Sequence, residues 1–546
     1  MANAPITRPM VSYASGTSDV ALIGRTIGAD LERTAQRLPG HEALVDVPTG
    51  RRWTYAELDT DVDRVATALL RAGVAKGDRV GIWSPNCAEW ALVQYATAKI
   101  GAVLVNINPA YRAHELQYVL RQSSVRMLVA APSFKSSDYA AMIDEVRGDC
   151  PALEEVVLLG SPEWDAMASC PVDRRAIDER AAVLGFDDPI NIQYTSGTTG
   201  FPKGATLSHH NILNNGFFVG HLLGYTEEDR VCVPVPFYHC FGMVMGNIGA
   251  TSNGATIVVP APAFDPAPTL AAVQQERCTS LYGVPTMFIA ELGLDDFAAY
   301  DLSSLRTGVM AGSPCPVEVM KRVVAEMHMT EVTIMYGMTE TSPVSTMTRR
   351  GDDLERRVST VGTVMPHVEV QIVDPATGLT VPRRTPGELC TRGYSVMLGY
   401  WDAPQQTSEA IDAAGWMHTG DLATMDDDGY VAIVGRIKDM VIRGGENIYP
   451  REVEEFLYGH PAIADVQVIG VPDERYGEEL MAWVRLKAGE SLTIEELREF
   501  CRGKLAHYKV PRYLHVTDEF PMTVTGKIRK VEMRERAMEL LARRTT

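Results

Sequence analysis

From residue 79 to residue 130 the chain alternates between two hydrophobic periods. Arg79-Val-Gly-Ile-Trp83 reads as a strand, Cys87 to Ile100 as a helix and Ala102-Val-Leu-Val105 as a strand. His114 to Arg121 then reads as a helix and Arg126-Met-Leu-Val-Ala130 as a strand. Strands separated by helices are joined by crossovers, and crossovers produce parallel sheets covered by helices. Ligands of such sheets bind outside the carboxyl ends of the strands. The next apolar run, Ile190-Asn-Ile-Gln193, leads into Tyr194-Thr-Ser-Gly-Thr-Thr-Gly-Phe-Pro-Lys-Gly-Ala205, which packs three glycines, four Ser/Thr hydroxyls and one lysine into twelve residues.

That composition suits a grip on phosphate. Glycine lets backbone N–H groups approach an anion without a Cβ in the way, and hydroxyls and a lysine add donors and charge. The stretch is not a Walker A loop, which needs Gly-Lys followed by Ser or Thr. Here Lys203 stands between Pro202 and Gly204, and the proline removes a donor. Taken alone, the run also suits an ordinary Ser/Thr/Gly surface loop.

Three more stretches follow in order. Tyr336-Gly-Met-Thr-Glu-Thr341 comes after the expected strand Val332 to Met335. Gly415-Trp-Met-His-Thr-Gly-Asp421 leads to Gly435-Arg-Ile-Lys-Asp439, and Pro521-Met-Thr-Val-Thr-Gly-Lys527 lies near the end. Tyr336 offers a ring for a purine and Glu340 a hard oxygen for Mg²⁺. Asp421 is a carboxylate of the kind that accepts paired ribose hydroxyls. The Asp-rich turn Asp426-Asp-Asp-Gly429 lacks EF-hand spacing and reads as a hairpin. Val231-Cys-Val-Pro-Val-Pro-Phe-Tyr-His239 reads as a buried strand ending at a histidine, and Met310-Ala-Gly-Ser-Pro-Cys-Pro316 as a turn after the strand Thr307 to Val309.

Together, in this order and from about residue 30 to about residue 535, these motifs resemble the adenylate-forming superfamily, specifically the fatty acyl-CoA synthetases. The resemblance implies an α/β fold. A large N-terminal domain of several subdomains, residues 1–436, carries mostly parallel sheets flanked by helices. A small mobile α+β C-terminal domain, residues 437–546, swings on a hinge near 437–439 at Lys438 or Asp439.

The resemblance also implies roles for named residues. Thr195, Ser196, Gly197, Thr198, Thr199, Gly200 and Lys203 hold ATP phosphates; Gly312, Ser313 and Pro314 lie against adenine; Tyr336, Gly337 and Thr339 complete the nucleotide site. Asp421 and Arg436 contact the ribose or phosphates, while Glu340 and Thr195 stand near Mg²⁺. His239, Gly337 and Met338 face the acid, Arg443, Gly444, Gly445 and Glu446 lie on the coenzyme A side, and Lys527 is the catalytic lysine of the first half-reaction.

The implied reaction is ATP-dependent activation of a carboxylic acid to acyl-AMP with release of pyrophosphate, then thioester formation with coenzyme A and release of AMP. A medium- or long-chain fatty acid is the expected substrate. The alternatives are a ligase that loads a carrier protein, a coenzyme A ligase for an aromatic or specialised acid, and a nucleotide-binding protein without activity.

Size and composition agree. A chain of 546 residues exceeds a single core. The net charge of −19 opposes broad binding to nucleic acid or an anionic membrane. Nine scattered cysteines without a CxxC pair fit neither a zinc site nor a disulfide framework, and so read as reduced thiols. No 18-residue apolar run is present and the first residues lack an apolar signal core. The expectation is a cytoplasmic enzyme without integral membrane association, and a homodimer by analogy.

Overall fold

The computed structural model describes residues 10–195, 202–313, 315–444, 446–522 and 528–545. Ser196, Gly197, Thr198, Thr199, Gly200, Pro314, Gly445 and Lys527 therefore lie outside the described residues. The chain divides into two compact units: Ala14–Val370 with Thr391–His418, and Met1–Tyr13 with Gln371–Cys390 and Thr419–Thr546. The expected boundary at residue 437 falls inside the second.

Among the described residues the larger unit carries two large sheets. One runs Glu155–Leu158, Met127–Ala130, Arg79–Trp83, Val103–Asn106 and Pro189–Thr195, all parallel, and continues antiparallel through Lys203–Ser208 and Gly399–Tyr400. The other has nine strands. Its inner ones, from Glu42–Asp46 through Thr256–Val259, Arg230–Cys232, Ser280–Gly283 and Thr307–Ala311 to Glu331–Gly337, are parallel. Antiparallel strands close both ends: Arg51–Thr54 on one side, Val344–Met347 and Thr363–Val364 on the other.

The crossover logic thus holds. Helix Ala88–Ile100 buries every residue except Glu89, and its buried lysine, Lys99, is ion-paired with Asp59 and Asp63.

One element differs from expectation. The strand at Val231 stops at Cys232, because Pro234 and Pro236 cannot donate to a ladder. The chain then winds into a π-helix, Phe241–Ile248, buried throughout. Its carbonyls find side-chain donors: Gln94 Nε2 donates to Met243 O at 3.1 Å and the Tyr282 hydroxyl to Met245 O at 3.1 Å.

The second unit is built on the hairpin Ile463–Asp473 and Gly477–Leu486. Its two faces bury different sets. Val466, Val468, Leu480, Ala482 and Val484 pack with helices Pro450–Leu457 and Ile494–Cys501. Ile469, Val471, Met481 and Trp483 pack with Met533 and Ala537 of helix Lys530–Thr545. Side chains alternate across a strand, so covering both faces makes these strands read as apolar runs. Helix Ile494–Cys501 ends just before Gly503, at φ +72°. None of the nine cysteines is in a disulfide.

Candidate active site

In the larger unit, strands Pro189–Thr195 and Lys203–Ser208 pair antiparallel with Thr195 opposite Lys203. The glycine-rich stretch thus joins the two arms of a β-hairpin. Gly204 is required for that fit: a Cβ there would stand 2.8 Å from Ile192 Cγ2 and 3.4 Å from the Tyr194 ring. Further contacts fix the arms. The Tyr194 hydroxyl donates to Gln122 Oε1, Tyr118 donates to Pro202 O at 3.1 Å, and Gln122 Nε2 donates to Trp401 O at 2.8 Å.

The parallel strands Thr307–Ala311 and Glu331–Gly337 end side by side. The first leads to Gly312 at φ +90°, where an added Cβ would meet only Val284 Cγ1, at 3.1 Å, so an open surface is left. The second ends at half-buried Tyr336 and at Gly337, whose missing side chain admits Pro343 O. A 3-10 turn, Thr339–Thr341, follows, with Met338 N donating to Thr341 Oγ1 at 3.1 Å. The turn carries Glu340, which is 5% exposed.

Glu340 has a definite partner. The Tyr400 hydroxyl donates to its Oε1 at 2.8 Å. Burial, with the Glu340 carboxylate beside it, holds the Tyr400 phenol far above its ordinary pKa, so it keeps its proton and serves as the donor. Lys203 Nζ stands 4.9 Å from the centre of the same ring, a cation–π distance.

The donor set fits a magnesium ion carried by ATP. Glu340 and the Thr195 hydroxyl supply hard oxygens on paired strands and an adjoining turn, and Mg²⁺ takes few protein ligands beside phosphates and water.

His239 is half-buried at the head of the π-helix. Its Nδ1 accepts the Phe241 N–H at 3.2 Å, which puts the proton of the neutral ring on Nε2. Cys240 Sγ lies 3.8 Å from Thr339 Oγ1, so the histidine segment and the Met338 to Glu340 turn are neighbours.

The second unit holds the remaining candidates. Asp421 faces Arg436 across the hairpin Met417–Met425 and Val431–Arg436, and the two are ion-paired at 2.9 Å. The Asp-rich turn is the tip of that hairpin, as expected, with Asp426 N donating to Tyr430 O at 2.9 Å. Lys438 and Asp439 lie in a 3-10 turn, and Arg534 pairs with Asp439 at 2.9 Å. Arg443 and Glu446 face each other across a tight hairpin. Arg443 also pairs with buried Glu479 at 2.7 Å and lies 4.1 Å from the Tyr476 ring centre, and the hydrogen bond to Glu479 raises its pKa. Gly444 takes φ +59° at the bend. On either side of residues 523–527, Met522 and Ile528 form a bridge, and Lys530 pairs with Glu454 at 2.6 Å.

Sequence reasoning missed Tyr400, Gln122 and Tyr118. No local signal marks them: Tyr400 reaches the site by strand pairing, and Tyr118 and Gln122 reach it from helix Ala113–Gln122, all far from it along the chain.

Residues 31–401 match the AMP-binding enzyme family, and residues 452–527 match the AMP-binding enzyme C-terminal domain. The mitochondrial medium-chain acyl-CoA ligase ACSF2 of Danio rerio is 45% identical over 552 residues, spanning 97% of this chain and 91% of its own. The crystal structure of the anthranilate CoA ligase AuaEII with anthranoyl-AMP aligns at a TM-score of 0.84 and 28% identity, covering 95% of this chain and 98% of that one. ATP-bound MatB from Rhodopseudomonas palustris aligns at 0.82 and 29%, covering 94% and 99%. The chain belongs to the AMP-binding enzymes, within the adenylate-forming superfamily.

Proposed function

We propose that this AMP-forming acid–CoA ligase acts on a medium- or long-chain fatty acid. The observation that carries the reading is the convergence of the glycine-rich hairpin, Lys203 and Glu340 on one tyrosine, which sets a cation and a hard carboxylate beside a phosphate grip. The name of the Danio rerio relative supports the choice of acid. The buried apolar π-helix next to His239 supports it further.

A carboxylate resists thiol attack because its resonance is strong and oxide is a poor leaving group. In the proposed first step the carboxylate attacks the α-phosphorus of ATP. A bond forms between a carboxylate oxygen and the α-phosphorus, the bond from that phosphorus to the α–β bridging oxygen breaks, and pyrophosphate leaves with the electron pair. No base is needed, since the acid is already ionised at neutral pH. Thr195, Ser196, Gly197, Thr198, Thr199, Gly200 and Lys203 bind the β- and γ-phosphates; Gly312, Ser313, Pro314, Tyr336, Gly337 and Thr339 hold the adenosine, with Asp421 and Arg436 at the ribose. Glu340 and Thr195 would hold Mg²⁺, which draws charge from the phosphate oxygens when bound. His239, Gly337 and Met338 face the acyl group. Lys527 offsets the charge growing at phosphorus.

In the second step the coenzyme A sulfur attacks the acyl carbon, a carbon–sulfur bond forms as the thiol proton passes to water, and the carbon–oxygen bond to AMP breaks with AMP taking the electron pair. We assign the change between steps to rotation of residues 437–546 about Lys438 and Asp439, a known mode of domain switching. That rotation withdraws Lys527 and presents Arg443, Gly444, Gly445 and Glu446.

We place the enzyme in the cytoplasm as a homodimer. Among the described residues no helix is long and apolar enough to cross a membrane.

Pyrophosphate release measured across straight-chain acids and anthranilate, with coenzyme A and no carrier protein, tests the reading. A maximum at medium or longer chains with acyl-CoA formed supports it. Turnover of anthranilate alone, or no thioester without a carrier, overturns it.

A further inference from the structure

Tyr400 lies 60 residues along the chain from Glu340, and its backbone is pinned on both sides. Gly399–Tyr400 pairs antiparallel with Lys203–Ser208, setting Tyr400 opposite Ala205, and Trp401 N donates to Gly204 O at 2.7 Å. Tyr400 N donates to Thr407 Oγ1 at 2.9 Å. Gly399 takes φ +145° and would meet Thr407 Cγ2 at 2.9 Å if it bore a Cβ, so this approach is reserved for glycine. The same short segment clamps the metal-ligand candidate at two points: Met397 N donates to Glu340 O at 2.9 Å, and the Tyr400 hydroxyl donates to Glu340 Oε1.

The chemistry of that clamp is selective. A buried carboxylate needs a donor, yet a lysine or arginine would neutralise the charge that a divalent cation requires. A phenol hydroxyl satisfies one oxygen and leaves the charge in place. The ring does the complementary task. Lys203 stands over its face while Glu340 takes the hydroxyl at its edge, so the aromatic body keeps the two opposite charges apart.

We propose that Tyr400 is a positioning residue of the adenylation site, a neutral spacer. Its hydroxyl orients Glu340 for the divalent cation of ATP, and its ring holds Lys203 extended toward the phosphates. This rests on Glu340 being the metal ligand.

The test uses the full chain with Mn²⁺ and α,β-methylene-ATP as probes, Mn²⁺ binding being read by electron paramagnetic resonance. Mg²⁺ and ATP dependence of pyrophosphate release are measured in parallel. Tyr400→Phe keeps the ring and loses the hydrogen bond; it is expected to weaken Mn²⁺ binding about tenfold, the low end of the scale of one charge-assisted hydrogen bond, with the KM for ATP at saturating Mg²⁺ nearly unchanged. Tyr400→Leu loses the ring as well and raises that KM too. Glu340→Gln weakens Mn²⁺ binding more, and adding Tyr400→Phe to it changes nothing further. Unfolding midpoints close to that of the native chain confirm that the variants are folded. Native Mn²⁺ affinity in Tyr400→Phe, or additive losses in the double variant, overturns the spacer role while leaving Glu340 as ligand. Native Mn²⁺ affinity in Glu340→Gln overturns both.

Discussion

Asp421 and Arg436 occupy opposed positions on neighbouring strands and are joined by a 2.9 Å ion pair. The arginine side chain is 59% exposed, so the pair contributes little to stability, under about 1 kcal/mol. In the proposed function its partners are the hydroxyls and phosphates of a nucleotide. Arg436→Ala is expected to leave the urea midpoint nearly unchanged and to raise the KM for ATP about tenfold, or about 1.4 kcal/mol. Steady-state kinetics at fixed acid and coenzyme A measure this, and an unchanged KM contradicts the assignment.

Gly337 separates backbone necessity from mere tolerance. A Cβ there would lie 1.7 Å from Pro343 O and 3.1 Å from Ser345 N. Neither atom is the end of a flexible side chain, so Gly337→Ala forces the strand apart at a cost of about 3 kcal/mol or more. Gly420, at φ +71° with nothing within 4 Å of an added Cβ, serves as the contrast. Gly420→Ala meets only the left-handed penalty of about 1 kcal/mol. Urea unfolding of both variants gives the ranking, and equal losses would refute the contact argument.

His209 supplies a pH dependence unrelated to catalysis. It is fully buried, its Nδ1 accepts the Ile27 N–H at 3.2 Å, and among the described residues its Nε2 has no partner. Burial pushes its pKa down from 6.5 to about 3. The unfolded chain therefore takes up the proton first, and stability is lost as pH falls from 6.5 toward 3, by up to about 1.4 kcal/mol per pH unit. His209→Gln keeps an acceptor but cannot titrate. Its unfolding free energy should fall less between pH 7 and pH 5 than that of the native chain, and parallel curves would contradict the prediction.

The strands around residues 79–130 were legible because each is short, apolar and bounded by a helical period, and the glycine-rich stretch because its composition is unlike its surroundings. The ends of the hairpin Ile463–Asp473 and Gly477–Leu486 are not legible, since the polar or ring-locked residues Pro472, Asp473, Glu478 and Glu479 stand where pairing continues. The π-helix Phe241–Ile248 escaped notice because its apolar residues and two glycines carry no period that separates it from the strand before it. Tyr400 was illegible in principle. Gly399-Tyr-Trp401 is an unremarkable turn until pairing with Ala205 brings it beside Lys203 and Glu340. Likewise, Asp421 and Arg436 were read as two separate contacts, and only strand register couples them.

The most direct measurement separates the two half-reactions in Lys527→Ala. The account predicts that acid-dependent pyrophosphate release falls by at least about a hundredfold, the scale of one lost transition-state donor, while thioester formation from supplied acyl-AMP and coenzyme A stays near the native rate. Equal loss of both half-reactions, or retention of both, would contradict it.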